Sequence, residues 1–319
     1  MRTLILYPRL DVTFKEGPVP IQRSPIPEIR THWANFVSRI ADLTNKQGHD
    51  VEILELPLWQ FTPEMVIEKN PDVVFVPHKE KHSFELPSHI EVLYYMQSVF
   101  PWIFYIDKQG YAGGASYYSQ METLIDLGNE KGNTFDQLRT YAQLGTSKFP
   151  QPSVGSFDSS VFGNYLFFAC QLPHDHTIKY HSDVSVEKAL ETTCEMANKL
   201  GQNLVVKGHP VNPGSMGGLK SICAKYRNTI WVDDISIHDL IPNARAVVVV
   251  NSGVGMESLL YLKPVITFGR AEYDSLTFKA SSDGFNMMIN SDPIIDKIRV
   301  RKFFDVWSQL TFDTYLYGG

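Results

Sequence analysis

Short apolar runs alternate with segments of helical apolar spacing through the C-terminal half of this 319-residue chain. The runs that predict strands are 165–169, 203–207, 229–232, 246–250 and 264–268. The segments that predict helices are 186–200, 217–226, 237–241 and 255–261. Strands that alternate with helices of about ten residues indicate a parallel sheet with helices on its faces. This half is therefore predicted to form a Rossmann-like α/β lobe.

The N-terminal half carries a weaker form of the same alternation. Its strand-like runs are 3–7, 51–56, 72–76 and 102–106. A helical spacing over 32–47 ends before Gly48, a residue type that commonly closes helices. With 43% apolar residues, the chain can form two separate cores. The predicted fold class is thus α/β, with two Rossmann-like lobes and a cleft between them.

Domain boundaries follow from a break in this pattern. Residues 145–163 are rich in Ser, Pro and Gly and lack apolar periodicity, which predicts an interdomain linker. We assign residues 1–155 to a first lobe and 156–285 to a second lobe. Residues 286–319, with helical spacing over 292–310, are predicted to pack back on the first lobe.

Charge and cysteine content make several classes of partner and site unexpected. The net charge of −6 provides no basic field for a polyanion, so nucleic acid is not an expected partner. The three cysteines lack any CxxC spacing and suit a reducing compartment. No run of about eighteen apolar residues occurs, and residues 1–8 read as a strand rather than a leader. We expect a soluble cytoplasmic protein without a membrane span.

Two strand ends in the C-terminal half carry chemically distinctive residues. Ligands bind parallel sheets beyond the carboxyl ends of the strands. Lys207 and His209 follow the strand 203–207 and could both meet a phosphate, or they could be a solvated lysine and an ordinary loop histidine.

The second strand end continues into a predicted helix start. Asn251, Ser252 and Gly253 follow the run 246–250, and Glu257 lies one turn further on. Helix N-terminal amides favour a phosphate, and Glu257 could accept hydrogen bonds from ribose hydroxyls. The alternative is a capped helix, with Ser252 as N-cap and Glu257 placed favourably by the helix dipole.

The order of these segments resembles a known family more specifically than any one of them does. Residues 165–273 are similar to capsule polysaccharide biosynthesis glycosyltransferases that use CMP-Kdo and have the two-Rossmann, B-type fold. The segments that carry the resemblance are QLPHD from Gln171, KGHP from Lys207, HDLI from His238, NSGVGME from Asn251 and PVITFG from Pro264. The sequence departs from the family pattern where His176 follows Asp175 and where Gly253 follows Ser252.

The resemblance implies a function and a set of site residues. It implies a glycosyltransferase that takes a nucleotide-activated sugar, CMP-Kdo-like, as substrate, needs no further cofactor, and delivers the sugar to a saccharide acceptor. Asp175 would be the catalytic carboxylate. The donor nucleotide would be bound by Gln171, Lys207, His209, Asn251, Ser252, Gly253 and Glu257.

The residue chemistry leaves alternatives at these positions. A carboxylate that faces the anomeric carbon can stabilise an oxocarbenium-like transition state, yet Asp175 could equally be a turn-forming aspartate. His174, His176 and His181 suggest a metal ligand set, but three histidines on one loop more often face solvent or substrate, so we predict no metal. Aromatic residues of the first lobe could stack an acceptor sugar or fill the core: Tyr94, Tyr95, Trp102, Tyr111, Tyr117 and Tyr118.

Two other functions remain open at this point. Transfer to a modified base in DNA would require basic residues near the cleft, for which the candidates are Arg23, Arg30, Lys79 and Lys81. A nucleotide-sugar epimerase or a noncatalytic nucleotide-binding module could use the same fold. The sugar, the acceptor, the stereochemical outcome and the oligomeric state are not specified by the sequence.

Overall fold

The computed structural model describes residues 1–9, 27–211, 213–291 and 293–316. The chain divides into two compact units. Unit 1 comprises residues 1–118 and 308–319, and unit 2 comprises residues 119–307. Each unit contains a six-stranded sheet within the described ranges, flanked by helices. The predicted class, α/β with two Rossmann-like lobes, is confirmed.

The unit 1 sheet is mostly parallel and has the order β12-β5-β4-β3-β1-β2. Its strands are β1 (Arg2–Pro8), β2 (Asp50–Leu56), β3 (Val73–Pro77), β4 (Glu91–Gln97), β5 (Ile103–Asp107) and β12 (Thr311–Asp313). Strands β1 to β4 pair in parallel, whereas β5 runs antiparallel to both β4 and β12. The four predicted strands of this half each lie within one residue of an observed strand.

Helices α1 (Pro27–Lys46) and α2 (Pro63–Lys69) belong to unit 1. Helix α1 carries Trp33 and Phe36 into a core with Tyr95 and Phe104. Helix α2 begins at the N-cap Thr62, whose side chain accepts a hydrogen bond from the Met65 amide, and it has a proline at its start. It ends at Asn70, which adopts the left-handed conformation typical of a helix terminus. In α1, burial of the Trp33 and Phe36 rings packs the helix against the strands of unit 1.

The unit 2 sheet is parallel throughout and has the order β11-β10-β9-β6-β7-β8. Its strands are β6 (Tyr165–Ala169), β7 (Asn203–Lys207), β8 (Thr229–Val232), β9 (Ala246–Val249), β10 (Val265–Thr267) and β11 (Phe278–Lys279). The central strands are buried from end to end, as expected for a sheet covered on both faces.

Nine α-helices of unit 2 lie in the described residues: α3 (Met121–Leu127), α4 (Thr134–Gln143), α5 (His176–His181), α6 (Val186–Lys199), α7 (Gly217–Cys223), α8 (Ile237–Leu240), α9 (Gly253–Leu260), α10 (Ser282–Asn290) and α11 (Lys297–Gln309). Short 3-10 helices complete the description: Leu58–Gln60, Lys81–Ser83, Ala112–Gly114, Tyr118–Gln120, Ser159–Phe162, Pro213–Met216, Ile241–Asn243 and Asp274–Leu276. The sequence missed α3 and α4, so residues 119–155 were assigned to the first lobe, whereas the structure groups them with unit 2.

Packing explains this grouping. The Phe135 ring of α4 lies 6.0 Å from the Phe304 ring of α11, and the Arg301 guanidinium pairs with the Asp136 carboxylate at 2.6 Å. Beyond α4, the Gly155 amide donates to the Asp239 carboxylate at 2.7 Å. The stretch 145–163, predicted to be a linker, is therefore held to unit 2. The C-terminal segment divides, since α11 packs within unit 2 and β12 pairs with β5 of unit 1.

All three cysteines lie in the core of unit 2. Cys170 is 5% exposed, Cys194 is 0% exposed and Cys223 is 4% exposed, and each is a free thiol. Among the helices of the described ranges, none combines the length and apolar character that crossing a bilayer requires.

Candidate functional site

The strand order of unit 2 creates a topological switch point between β6 and β9. The chain runs outward from β6 through β7 to β8 and then returns to the other side of β6 as β9. Loops that leave such neighbouring strands diverge to opposite faces of the sheet, and the crevice between them is the usual ligand position. The residues that follow β6 and β9 are Gln171 and Asn251, both of which the sequence had singled out.

The Gln171 and Asn251 side chains bind one another across this switch point. The Gln171 Nε2 donates to Asn251 Oδ1 at 2.9 Å, and the Asn251 backbone amide donates to Gln171 Oε1 at 3.0 Å. Asn251 Nδ2 in turn donates to the Thr177 carbonyl at 2.9 Å. Both residues are 7% exposed. Their polar groups therefore join β6, β9 and α5 to one another.

Asp175 is the N-cap of α5. Its Oδ1 accepts from the Thr177 amide and from the Thr177 hydroxyl, both at 2.8 Å. The residue is half-buried, and its charge partly opposes the lowering of the pKa of His209 that burial causes. The turn-forming alternative is thus observed, and the helix cap fixes one oxygen of the Asp175 carboxylate.

Lys207 is directed into the protein. It is 4% exposed, and its Nζ donates to the backbone carbonyl of Asp233 at 2.7 Å. Burial lowers the pKa of Lys207, an effect that the nearby carboxylates of Asp233 and Asp234 oppose. The Lys207 ammonium therefore connects the end of β7 to the end of β8 by a hydrogen bond.

His209 presents one ring nitrogen to its own loop. The Val211 amide donates to Nδ1 at 3.1 Å, and the Val211 carbonyl lies 3.3 Å from the same atom. Because an amide N–H is always a donor, the shorter contact indicates that Nδ1 accepts and that Nε2 carries the proton of the neutral ring. Burial is the main effect that lowers the pKa of His209, which favours this neutral form.

The N-terminus of α9 follows Asn251 directly. Ser252 is its N-cap and accepts from the Val254 amide at 3.2 Å. The Tyr273 hydroxyl donates to the Ser252 carbonyl, and the same hydroxyl oxygen would lie 2.4 Å from a Cβ added to Gly255. Gly255 is therefore required by the close approach of Tyr273, which holds the turn that contains Ser252 and Gly253.

Glu257 lies one turn inside α9 and is 3% exposed. Its Oε1 accepts from the Ser147 hydroxyl at 2.7 Å, and the His238 Nε2 lies 3.9 Å away. Burial raises the pKa of Glu257 to about 8, although the Ser147 hydrogen bond opposes the shift. Burial also lowers the pKa of His238 to about 4. At neutral pH the two groups are therefore a carboxylic acid and a neutral imidazole.

The sequence missed several residues that build this site. Thr177, Ser147 and Tyr273 contact Asp175, Glu257 and Ser252 respectively. His238 was quoted only as part of a motif, yet it lies beside Glu257. Contacts between residues more than a hundred positions apart, such as Ser147 and Glu257, leave no local pattern in a single sequence.

The remaining candidates from the sequence are histidines, tyrosines and basic residues. His174 is exposed and His181 is buried, and across the described ranges no three His, Cys, Asp or Glu side chains come together in a way that could hold a metal ion. Tyr94 and Tyr95 are core residues whose hydroxyls donate to backbone carbonyls. Of the basic candidates, Arg23 lies outside the described residues. The remaining three belong to unit 1: Arg30, Lys79 and Lys81.

Comparison with known proteins supports the resemblance. Residues 151–287 match the profile of the family described as "Capsule polysaccharide biosynthesis protein". The Escherichia coli capsule polysaccharide export protein KpsS is 27% identical over 121 residues, which are 34% of this chain and 31% of KpsS. The chain therefore spans about a third of the length of this curated relative.

Two solved structures share the fold. The β-Kdo 2,7-transferase of Thermosulfurimonas dismutans KpsC superimposes with a TM-score of 0.53 and 16% identity, over 96% of this chain and 90% of that one. The β-Kdo 2,4-transferase of the same protein gives a TM-score of 0.50 and 17% identity, over 85% and 87%. At these identities the likeness is one of fold, and it extends over nearly the whole chain.

Proposed function

We propose, since residues 151–287 of this chain match the profile of the capsule polysaccharide biosynthesis family, that it is a glycosyltransferase that moves a sugar from a nucleotide-activated donor to a saccharide acceptor. A CMP-Kdo-like donor is favoured, because two solved structures of the same fold, both from KpsC, are described as β-Kdo transferases. The observation that carries the proposal is the contact between Gln171 and Asn251, which fixes the start of α9 at the switch point of the unit 2 sheet.

In this proposal the donor phosphate binds at the start of α9. The Gly253 amide and the Ser252 hydroxyl donate to the phosphate oxygens, together with the positive end of the helix. His209 donates from Nε2, because its Nδ1 accepts from Val211. Gln171, Asn251 and Lys207 act as positioning residues, since their polar atoms hold the strand ends together.

Glu257 is proposed to bind the ribose of the donor. As a carboxylic acid at neutral pH it can donate one hydrogen bond and accept others, which suits a pair of ribose hydroxyls. The Ser147 hydroxyl already donates to Oε1, so a hydroxyl donor has a favourable geometry at this atom. Ribose binding would replace or extend that hydrogen bond.

Asp175 is proposed to face the anomeric carbon. During transfer, the bond between that carbon and a donor phosphate oxygen breaks and the electron pair leaves with the phosphate. The acceptor hydroxyl oxygen forms the new bond to the anomeric carbon and releases its proton to water. The oxocarbenium-like transition state is stabilised by a nearby carboxylate, and Thr177 holds one Asp175 oxygen in a fixed position.

A mass-spectrometric screen tests the function. The protein is incubated with CMP-, UDP- and GDP-sugars and a mixture of saccharide acceptors, and both nucleotide and sugar products are followed. We expect release of the nucleotide together with a heavier saccharide. Formation of an epimerised nucleotide sugar, or binding without turnover, would exclude glycosyl transfer.

Thermal unfolding tests the nucleotide. CMP or CDP should raise the melting temperature more than UMP, UDP or GDP at equal concentration, since a ligand at a hundred times its Kd stabilises the native state by about 2.7 kcal/mol. A larger shift with uridine nucleotides would leave glycosyl transfer in place and refute the CMP-type donor. No shift with any nucleotide at millimolar concentration would refute the site.

Calorimetry with ribose analogues tests Glu257. Glu257→Ala should weaken binding of a ribonucleotide by roughly tenfold, because a buried ribose hydroxyl loses its hydrogen-bond partner, and change binding of the 2′,3′-dideoxy analogue much less. If the affinity for both ligands falls equally, Glu257 does not contact the ribose hydroxyls and only stabilises the start of α9.

A further inference from the structure

The segment that leaves α4 returns to the proposed nucleotide site. The Thr146 amide donates to the Tyr141 carbonyl at 2.9 Å, which turns the chain at the end of α4. Ser147 then contacts Glu257, and the Phe149 ring lies edge-on to the His209 imidazole with centroids 5.1 Å apart. Three consecutive residues therefore span the distance from the ribose side of the site to the phosphate side.

A bound phosphate needs positive charge that the predicted residues do not supply. His209 is neutral at physiological pH because burial lowers its pKa. The Lys207 ammonium is 4% exposed and donates to the Asp233 carbonyl on the side of β8. Hydrogen bonds from neutral donors are about half as strong as those from a cation, so a phosphate at His209 would gain from a further lysine or arginine.

Lys148 is the cation on the segment that joins these two contacts. It is half-buried, between Ser147, which contacts Glu257, and Phe149, which contacts His209. Its ammonium is 5.7 Å from the centre of the Phe149 ring, on the segment that contacts the imidazole. The electrostatic effect of Lys148 on the pKa of His209 is consistent with this proximity.

We propose that residues 147–149 form a third wall of the nucleotide site and that Lys148 is the lysine that pairs with the donor phosphate. The inference rests on the nucleotide site proposed above and refines it. Lys207 then holds the end of β7, His209 donates one neutral hydrogen bond, and Lys148 supplies the charge. The ligand class is a nucleoside 5′-phosphate or a sugar ester of one.

Calorimetric titration with CMP and cytidine, and with UMP and uridine, tests the proposal in the full chain. Lys148→Gln removes the charge, and we expect it to weaken nucleotide binding by at least about tenfold while nucleoside binding stays within about twofold. Lys148→Arg should restore most of the nucleotide affinity. The matched control is Lys199→Gln, which removes the same charge from an exposed residue at the end of α6, next to the amino ends of the strands.

Salt dependence provides a second measurement. Nucleotide affinity of the unmodified protein should fall as salt increases, and it should fall less steeply for Lys148→Gln, since one screened ion pair is absent. Circular dichroism melts of both glutamine variants should match the unmodified protein, which separates loss of contact from loss of fold.

The outcomes are distinct. If the unmodified protein binds CMP or UMP and Lys148→Gln binds it equally well, the role of Lys148 is refuted while the nucleotide site stands. If Lys148→Gln weakens nucleotide and nucleoside alike, the segment shapes the site and the phosphate contact is refuted. If the unmodified protein binds no nucleotide, the proposed function fails first, and this inference fails with it.

Discussion

Gln171 and Asn251 exchange two hydrogen bonds across the switch point of the unit 2 sheet, although eighty positions separate them in the chain. Each lies one or two residues beyond a buried strand, and together they bury an amide–amide contact at 7% exposure. A buried donor or acceptor that loses its partner costs more than the hydrogen bond contributed. The pair therefore fixes the geometry of the loops on which the proposed nucleotide site depends.

Gln171→Met should destabilise the protein by roughly 1–3 kcal/mol, because the Asn251 amide loses its acceptor while side-chain volume is kept. Nucleotide binding should weaken as well, since α9 is no longer held at the switch point. Urea unfolding and CMP titration measure the two effects. The control is Gln137→Met on the exposed face of α4, which should change neither. An unchanged urea midpoint for Gln171→Met would contradict the role of the pair.

Asp175→Asn should remove most turnover and leave nucleotide affinity near that of the unmodified protein. Asparagine is as good an N-cap as aspartate, so α5 keeps its start while the charge is lost. A contact made only in the transition state is lost from kcat and from kcat/KM together. Asp183→Asn, at an exposed position beyond α5, is the matched control. A variant that retains more than about a tenth of kcat, less than about 1.4 kcal/mol of barrier, would exclude the catalytic role.

Stability should depend on pH through Glu257. Its pKa in the folded protein, about 8, exceeds the ordinary value of 4.5, so the folded state binds the additional proton between these pH values. Stability from this group is complete below about pH 4.5 and is lost as pH rises through about 8, on the order of a few kcal/mol in total.

Glu257→Gln isolates that effect, since it keeps the shape and cannot ionise. The free energy of unfolding of the unmodified protein minus that of the variant should decline steadily from pH 5 to 8. His238 acts in the opposite direction in both proteins: its folded pKa of about 4 lies below 6.5, so its contribution is complete above pH 6.5 and is lost on acidification. A pH-independent difference between the two proteins in urea unfolding would refute a buried, protonated Glu257.

Gly255→Ala should destabilise unit 2 by about 1–3 kcal/mol, because the added methyl group meets the Tyr273 hydroxyl at 2.4 Å and forces the ring or the helix to move. Binding of CMP should weaken in parallel, since Tyr273 holds the Ser252 carbonyl. Gly218→Ala is the control, because its added methyl group meets no atom within 4 Å and alanine favours the helix. If the two variants have the same melting temperature, the packing of Tyr273 against α9 does not require a glycine at position 255.

The sequence was sufficient for the fold because its strand signals are local. All nine predicted strands lie within one residue of observed ones, since each is a short apolar run closed by polar or turn residues. Strand β4 was missed because its aromatic run, which includes Tyr94 and Tyr95, suggested stacking residues as readily as a buried strand. Helices α3 and α4 were missed because they are short, and short helices depend on tertiary packing such as that of Phe135 in α4 against Phe304 in α11.

The candidate site was predictable in position but not in contacts. The residues after β6, β7 and β9 could be selected because strand order alone brings them to one edge of the sheet. Which of their polar atoms are already bonded could not be predicted, because this depends on partners such as Asp233 for Lys207 and Ser147 for Glu257. The stretch 145–163 has the composition of a linker, yet Gly155 and Ser147 fasten it to unit 2 by contacts that composition does not encode.

The three buried cysteines have a practical consequence. Every thiol of the chain lies in unit 2, and unit 1 has none. A thiol-specific label can react only when the core around Cys170, Cys194 and Cys223 opens, so the labelling rate under native conditions reports the opening free energy of one lobe alone. Labelling of these native cysteines therefore measures the stability of unit 2 separately from that of unit 1, without any engineered residue.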